Sequence, residues 1–181
     1  MGEPMKKSSN AYHFQKNYGP AVEHIKRHFP TGQTRGSIFT GTRFRTVQDV
    51  IDYAYEIVKG RYRGEEMVIQ KRFDEFIGLE GIVDMNTLPN HTSYKREMRE
   101  KRKGSSGRPQ SYTTWVAYGT KRNIIKNLVI IAGSWPSNPS VHTFLTIYPG
   151  MLAPDFDDQQ FWNRYAFTEE KNLKSRKRKR R

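Results

Sequence analysis

Five histidines and no cysteine frame the chemistry open to this 181-residue chain. The absence of cysteine removes a thiolate nucleophile, a disulfide scaffold and any Cys-based zinc or iron–sulfur site. Among His13, His24, His28, His91 and His142, the pair His24 and His28 has a telling spacing. At i and i+4, both rings project from one face of a helix. Three readings are open. One ring packs at the helix end while the other is solvated. Alternatively the pair clamps zinc, although the Glu of the metalloprotease pattern is missing and no third ligand follows at a recognisable spacing. Or the pair moves protons on RNA: an imidazole takes the proton of a ribose 2′-hydroxyl near neutral pH, and a second donor serves the leaving 5′-oxygen. The negative charge that grows on the phosphate then needs cations and hydroxyls around it. Arg35, Ser37, Arg43 and Arg45 follow the pair closely enough to supply them.

A second cluster runs from Val141 to Pro149. On a regular strand His142, Phe144, Thr146 and Tyr148 share one face, while Thr143, Leu145 and Ile147 share the other. The latter set is more apolar and is expected to meet the core. The former could stack a base and hydrogen-bond a phosphate, although an ordinary strand with β-formers on a half-exposed face gives the same pattern. Lys121 and Arg122, in the short loop 120–123, add two cations to the substrate-binding set. No glycine-rich phosphate loop follows a strand and no Gly-x-Ser-x-Gly elbow is present. Asp155, Asp157 and Asp158 read as a solvated turn. No cofactor or metal is expected.

The elements that must position these residues follow from periodicity. Ala21, Val22, Ile25 and His28 mark one face of a short helix that runs to Phe29 and is ended by Pro30-Thr31-Gly32. Residues 31–45 read as a turn-rich connection. Thr46 has the character of an N-cap, with Asp49 in the capping-box position. Val47, Val50, Ile51, Ala54, Ile57 and Val58 then define an amphipathic helix over 46–59, closed by Gly60. Met67–Lys71 and Gly81–Asp84 are short candidate strands. Three β-rich runs, Ser111–Gly119, Lys126–Trp135 and Val141–Pro149, are joined by short loops, which favours an antiparallel meander. The fold class is α+β, with N-terminal helices packed on a mainly antiparallel sheet.

The charge is unevenly placed. The chain carries 32 Lys and Arg against 18 Asp and Glu, a surplus of 14. Lys95–Arg108 holds seven basic residues against two acidic ones, and Glu169–Arg181 holds eight against two, so these two stretches supply 11 of the surplus charges. The expected organisation is a loosely ordered segment 1–18 and one domain over 19–165. A basic flexible insertion at about 95–110 and a basic tail over 166–181 complete it. No stretch is apolar enough to span a bilayer, and residues 1–20 do not form a signal peptide. A cytoplasmic protein with a polyanionic partner is the expectation. The terminal Arg-Lys run also has the composition of a nuclear-import signal, but generic RNA attraction is the preferred reading.

The order of features, a helix with His24 and His28, a Ser- and Arg-bearing connection, a Thr/Asp-opened helix and a last strand with Thr146-x-Tyr148-Pro149, resembles the barnase–EndoU–colicin–RelE superfamily. Its small ribonuclease domains, especially those of bacterial contact-dependent and polymorphic toxins, are matched over roughly residues 21–150. The resemblance implies N-terminal helices on an antiparallel sheet. It also implies metal-independent cleavage of RNA to a 2′,3′-cyclic phosphate, with transfer RNA among the substrates. By position, His24 or His28 would be the base or acid, and Thr146 with Tyr148 the hydroxyls near the scissile phosphate. Arg35, Arg43 or Arg45 would hold that phosphate. A toxin of this kind would have an acidic inhibitor or immunity protein as partner.

Two other function classes fit the same composition. One is a non-catalytic nucleic-acid-binding protein of phage or plasmid type, with Tyr112, Trp115, Tyr118, Trp135 and Tyr148 as a stacking surface. The other is a structural protein whose basic segments neutralise packaged nucleic acid.

Overall fold

The computed structural model describes residues 12–30, 36–102, 109–154 and 158–169. The first helix, α1 (Gly19–Lys26), has Pro20 in its opening turn, where the missing N–H is not needed. It buries Ala21 and Ile25 and continues as turns to Phe29. Strand β1 (Ile38–Phe39) is tied to the end of that helix by the Phe39 N–H, which donates to the His28 carbonyl at 2.6 Å. Helix α2 (Val47–Val58) starts as expected. The Thr46 hydroxyl accepts from the Asp49 N–H at 3.1 Å, and the Asp49 carboxylate accepts from the Thr46 N–H at 2.8 Å. This reciprocal capping box satisfies two of the N–H groups that a helix start leaves without partners.

The strands that follow are β2 (Met67–Arg72), β3 (Gly78–Leu79), β4 (Ile82–Asp84), β5 (Ser93–Arg102), β6 (Pro109–Tyr118), β7 (Ile124–Ile125), β8 (Asn127–Trp135) and β9 (Asn138–Pro149). Helix α3 (Gln159–Arg164) and β10 (Tyr165–Glu169) end the described chain. Among the described residues they form three sheets, ordered β2-β8-β9, β4-β10-β6-β5 and β1-β3-β7. Every pairing is antiparallel except β6 with β10. The class is α+β, as the patterning indicates.

One core joins α1, α2 and the β2-β8-β9 sheet. Val50, Ile51, Ala54 and Val58 of α2 belong to the same buried cluster as Leu128, Ile130, Phe144 and Ile147. Burying such side chains contributes on the order of 2 kcal/mol each before the entropy of ordering them is set against it. A second cluster of Val83, Ala117 and Ala166 sits within the four-stranded sheet. No described helix is long and apolar enough to cross a membrane.

Four expectations are corrected. The three C-terminal runs do not form one meander. Only β8 and β9 pair with each other; β8 takes β2 as its other neighbour, while β6 lies in a different sheet between β5 and β10. The basic stretch expected to be a flexible insertion is strand over 95–102 and 109–110, because β5 pairs with β6 residue for residue from Ser93↔Tyr118 to Arg102↔Pro109. Residues 103–108 lie outside the described residues. The tail boundary moves as well: residues 165–169 are β10, bonded between β4 and β6. Its alternation of buried Ala166 and Thr168 with half-buried neighbours is that of a strand. Residues 170–181, with most of the tail's charge, lie outside the described residues, as do 1–11. Of the loosely ordered segment, Phe14 forms a bridge to His142 and packs edge-on against Phe144 and Tyr62.

Candidate active site

A cleft of about 600 Å³ opens between α1, the outer face of β9 and the chain around Glu80. The i, i+4 spacing sets His24 and His28 on its first wall, with ring centres 6.1 Å apart. Thr146 and Tyr148 of β9 form the facing wall, and the Tyr148 ring stacks on the His28 ring at 5.6 Å and 30°. Ile82, Ile131, Trp162 and Phe167 supply apolar lining, and Trp162 is only 2% exposed. Ser37, Glu80 and Gly81 close the third side.

Glycines make that third side possible. A Cβ on Gly81 would lie 2.3 Å from the backbone of Gly36 and Ser37, so only glycine allows the two segments to approach. At that approach the Gly81 N–H donates to the Ser37 hydroxyl at 3.0 Å. Gly150 has φ +137°, a backbone conformation that side chains rarely adopt, and turns the chain after β9 back toward Glu80. The Met151 N–H then donates to Glu80 Oε1 at 3.2 Å.

The protonation chemistry follows from this packing. His28 Nδ1 lies 3.0 Å from the Ser37 carbonyl oxygen. A carbonyl can only accept, so Nδ1 carries the hydrogen and the neutral ring keeps its lone pair on Nε2. Burial pulls the His28 pKa below the usual histidine value; His24 and Arg27 push the same way, and the bond to Ser37 opposes them. The pKa of His24 is lowered too, first by burial and then by Arg27. Glu80, 7% exposed, has its pKa raised by burial, with the Met151 N–H pulling the other way. Burial likewise raises the Tyr148 phenol, against a hydrogen bond from the Ala153 backbone. The cleft thus holds histidines biased toward the neutral form beside a carboxyl biased toward its acid.

Of the residues singled out in the sequence, His24, His28, Ser37, Thr146 and Tyr148 line this one cleft. His142 does not. The β8–β9 register passes from Ile131↔Thr146 to Ala132↔Phe144, leaving Leu145 as an extra residue in a bulge. That bulge reverses the alternation, so Thr146 and Tyr148 face the cleft while Phe144 joins the core. His142, two residues before Phe144, shares a hydrogen bond with the Tyr62 hydroxyl at 2.7 Å and lies against Tyr12 at 4.8 Å.

The cations are also redistributed. Arg43 bonds Glu75 at 2.6 Å and lies 4.4 Å over the Phe73 ring, held away from the cleft by an ion pair and an aromatic box. Arg45 is exposed at the start of α2, where its N–H donates to Asp49. Lys121 lines a separate cleft near Thr92 and Tyr118, and Arg122 is buried at 7% exposure. Arg35 lies outside the described residues. The cation that acts on both cleft histidines is Arg27, three residues after His24 and directly before His28, and sequence reasoning passed over it. It also passed over Glu80, for which Gly78-Leu79-Glu80-Gly81 offered one local hint, a carboxylate between two glycines.

Among the described residues no three His, Asp or Glu side chains converge as a metal-binding set. Comparison with family models, with curated proteins and with solved structures gave no match.

Proposed function

We propose that the cleft is the active centre of a metal-independent endoribonuclease. The observation that carries the reading is the His28 ring, fixed by Ser37 with its basic nitrogen free and stacked on Tyr148 in the cleft that also holds His24, Thr146 and Glu80. His28 Nε2 takes the proton of a ribose 2′-hydroxyl. The 2′-oxygen forms its bond to phosphorus as the bond to the 5′-oxygen breaks, and the leaving oxygen receives the proton of the Glu80 carboxyl. The products are a 2′,3′-cyclic phosphate and a 5′-hydroxyl. The Thr146 and Tyr148 hydroxyls and His24 donate to the non-bridging oxygens as their charge grows, and Arg27 adds a positive field from the rim. Ile82, Ile131, Trp162 and Phe167 offer apolar surface to a base. The basic stretches outside the cleft raise the local concentration of RNA.

Single variants His24→Ala and His28→Ala test the assignment. Loss of His28 is expected to lower the cleavage rate by about 100-fold or more, the usual contribution of a positioned base. Undiminished cleavage by both purified variants would overturn it.

The exposed aromatic face around Trp115 favours a second reading, a non-catalytic single-strand binder. In that case RNA shifts on a native gel and stays intact.

A further inference from the structure

One face of the β5–β6 hairpin is covered only in part, Trp115 lying at its base against the Val83, Ala117 and Ala166 cluster. Arg96 pairs across the strands with Trp115, and its guanidinium lies 5.2 Å from the centre of the indole ring. Tyr94 meets the same indole edge-on at 6.4 Å. Two residues farther along β5, on the same side by strand alternation, Met98 is 74% exposed. Tyr94 is 36% exposed, Arg96 is exposed and Trp115 is half-buried. The four side chains form a row of apolar and π surface with a cation in its middle. Strand β5 is also the outer strand of its sheet.

Three of the other aromatics weighed as a stacking surface are engaged elsewhere. Tyr118 is buried and its hydroxyl donates to Glu97 at 3.1 Å, Trp135 packs edge-on against Tyr18, and Tyr148 belongs to the cleft. The charge agrees with the geometry. From Lys95 to Arg108 the sequence carries seven basic residues against two acidic ones. A polyanion whose flat faces are open is the complementary partner. A duplex buries its base faces in its own stack, whereas a single strand presents both phosphates and bases.

We propose that this hairpin face binds a single-stranded stretch of RNA, with bases against Tyr94, Trp115 and Met98 and a phosphate on Arg96. The proposal rests on the ribonuclease reading only in taking the nucleic acid to be RNA. It adds that the substrate is recognised through an unpaired segment outside the cleft.

The test is fluorescence anisotropy with the full-length His28→Ala protein, which keeps the RNA intact during titration. The probes are a short labelled RNA and the same RNA annealed to its complement, across a salt series. The single strand is expected to bind about tenfold tighter than the duplex. Tyr94→Ala is expected to weaken single-strand binding by about tenfold, the usual loss of one stacked base. Arg96→Gln is expected to lower the salt dependence by about 0.7 of a log–log slope unit, one phosphate contact. Both side chains are exposed, so the variants keep the fold. Equal or tighter binding of the duplex, or parental binding by both variants, would overturn the proposal. Cleavage by the unmodified protein is scored separately. Failure of cleavage with this binding pattern intact refutes the cleft reading alone, and the reverse result refutes the hairpin alone.

Discussion

The Nδ1 nitrogen of His28 and the carbonyl oxygen of Ser37 are 3.0 Å apart, and that contact decides which ring nitrogen carries the proton. The contact exists because α1 ends against β1: the Phe39 N–H takes the His28 carbonyl while the His28 side chain reaches back to Ser37. A helix terminus and a two-residue strand thereby hold one imidazole at backbone precision. Proton abstraction needs that kind of positioning.

The pH dependence of cleavage should report this histidine. Burial lowers its pKa, so the neutral base persists below the usual value near 6.5. Because the step also needs the Glu80 proton, cleavage under kcat/KM conditions is expected to follow a bell. Its acid limb, from His28, is centred below the usual histidine value, and its alkaline limb reports loss of the Glu80 proton. The same shift makes a stability statement. In the unfolded chain His28 protonates first, so its contribution is complete above the unfolded pKa and is lost as pH falls through the folded one. Urea midpoints should decline across that acid window, and less steeply in His28→Gln. An acid limb of cleavage centred above pH 7 would contradict the assignment of His28 as base.

Glu80 has the opposite linkage. Its raised pKa means that its stabilising contribution is present below the unfolded value and is lost as pH rises through the folded one. Glu80→Gln keeps an oxygen for the Met151 N–H and removes the charge. The variant should therefore melt at a higher temperature than the parent at pH 8 and at nearly the same temperature at pH 4. Without the acidic proton its cleavage should drop by about 100-fold. Calorimetry at the two pH values and a cleavage time course check both halves.

Gly81 and Gly60 separate close approach from ordinary loop freedom. A Cβ at position 81 meets backbone at 2.3 Å, whereas one at position 60 meets nothing within 4 Å. Gly81→Ala is expected to cost about 2 kcal/mol and to disrupt cleavage by pushing Ser37 away from His28. Gly60→Ala, just past α2, should lie between neutral and about 1 kcal/mol stabilising. Chemical denaturation of the pair gives the comparison.

His142 and His28 should dissociate stability from activity. His142→Ala removes the bond to Tyr62 and the packing on Tyr12, an expected loss of about 1–3 kcal/mol. Assayed well below its melting temperature, that variant should still cleave RNA, while His28→Ala should fold and fail to cleave.

Much of this was legible in the residues. The helix α2 was readable from Thr46 and Asp49 because a capping box is local chemistry. The cleft histidines were readable because i, i+4 spacing fixes their common face. Where partners are distant in sequence, reading stopped. Alternation along β9 predicted that His142 would share a face with Thr146 and Tyr148, and a single bulged residue, Leu145, reversed it. A bulge is set by the partner strand and leaves no mark in a strand's own alternation. The charged run 95–102 read as an arm because it leads into Gly104-Ser105-Ser106-Gly107, yet eight cross-strand pairs with β6 hold it. Glu80 had only its place between two glycines to mark it, because a lone glutamate is ordinary surface chemistry until the fold buries it.

The most direct measurement is incubation of the purified protein with total RNA in excess EDTA, followed by a denaturing gel with end-group analysis. The His24→Ala/His28→Ala protein, purified identically, serves as control. The account predicts discrete fragments ending in a 2′,3′-cyclic phosphate that are absent from the control. RNA that remains intact while shifting on a native gel would contradict it, and the cleft histidines would then be structural.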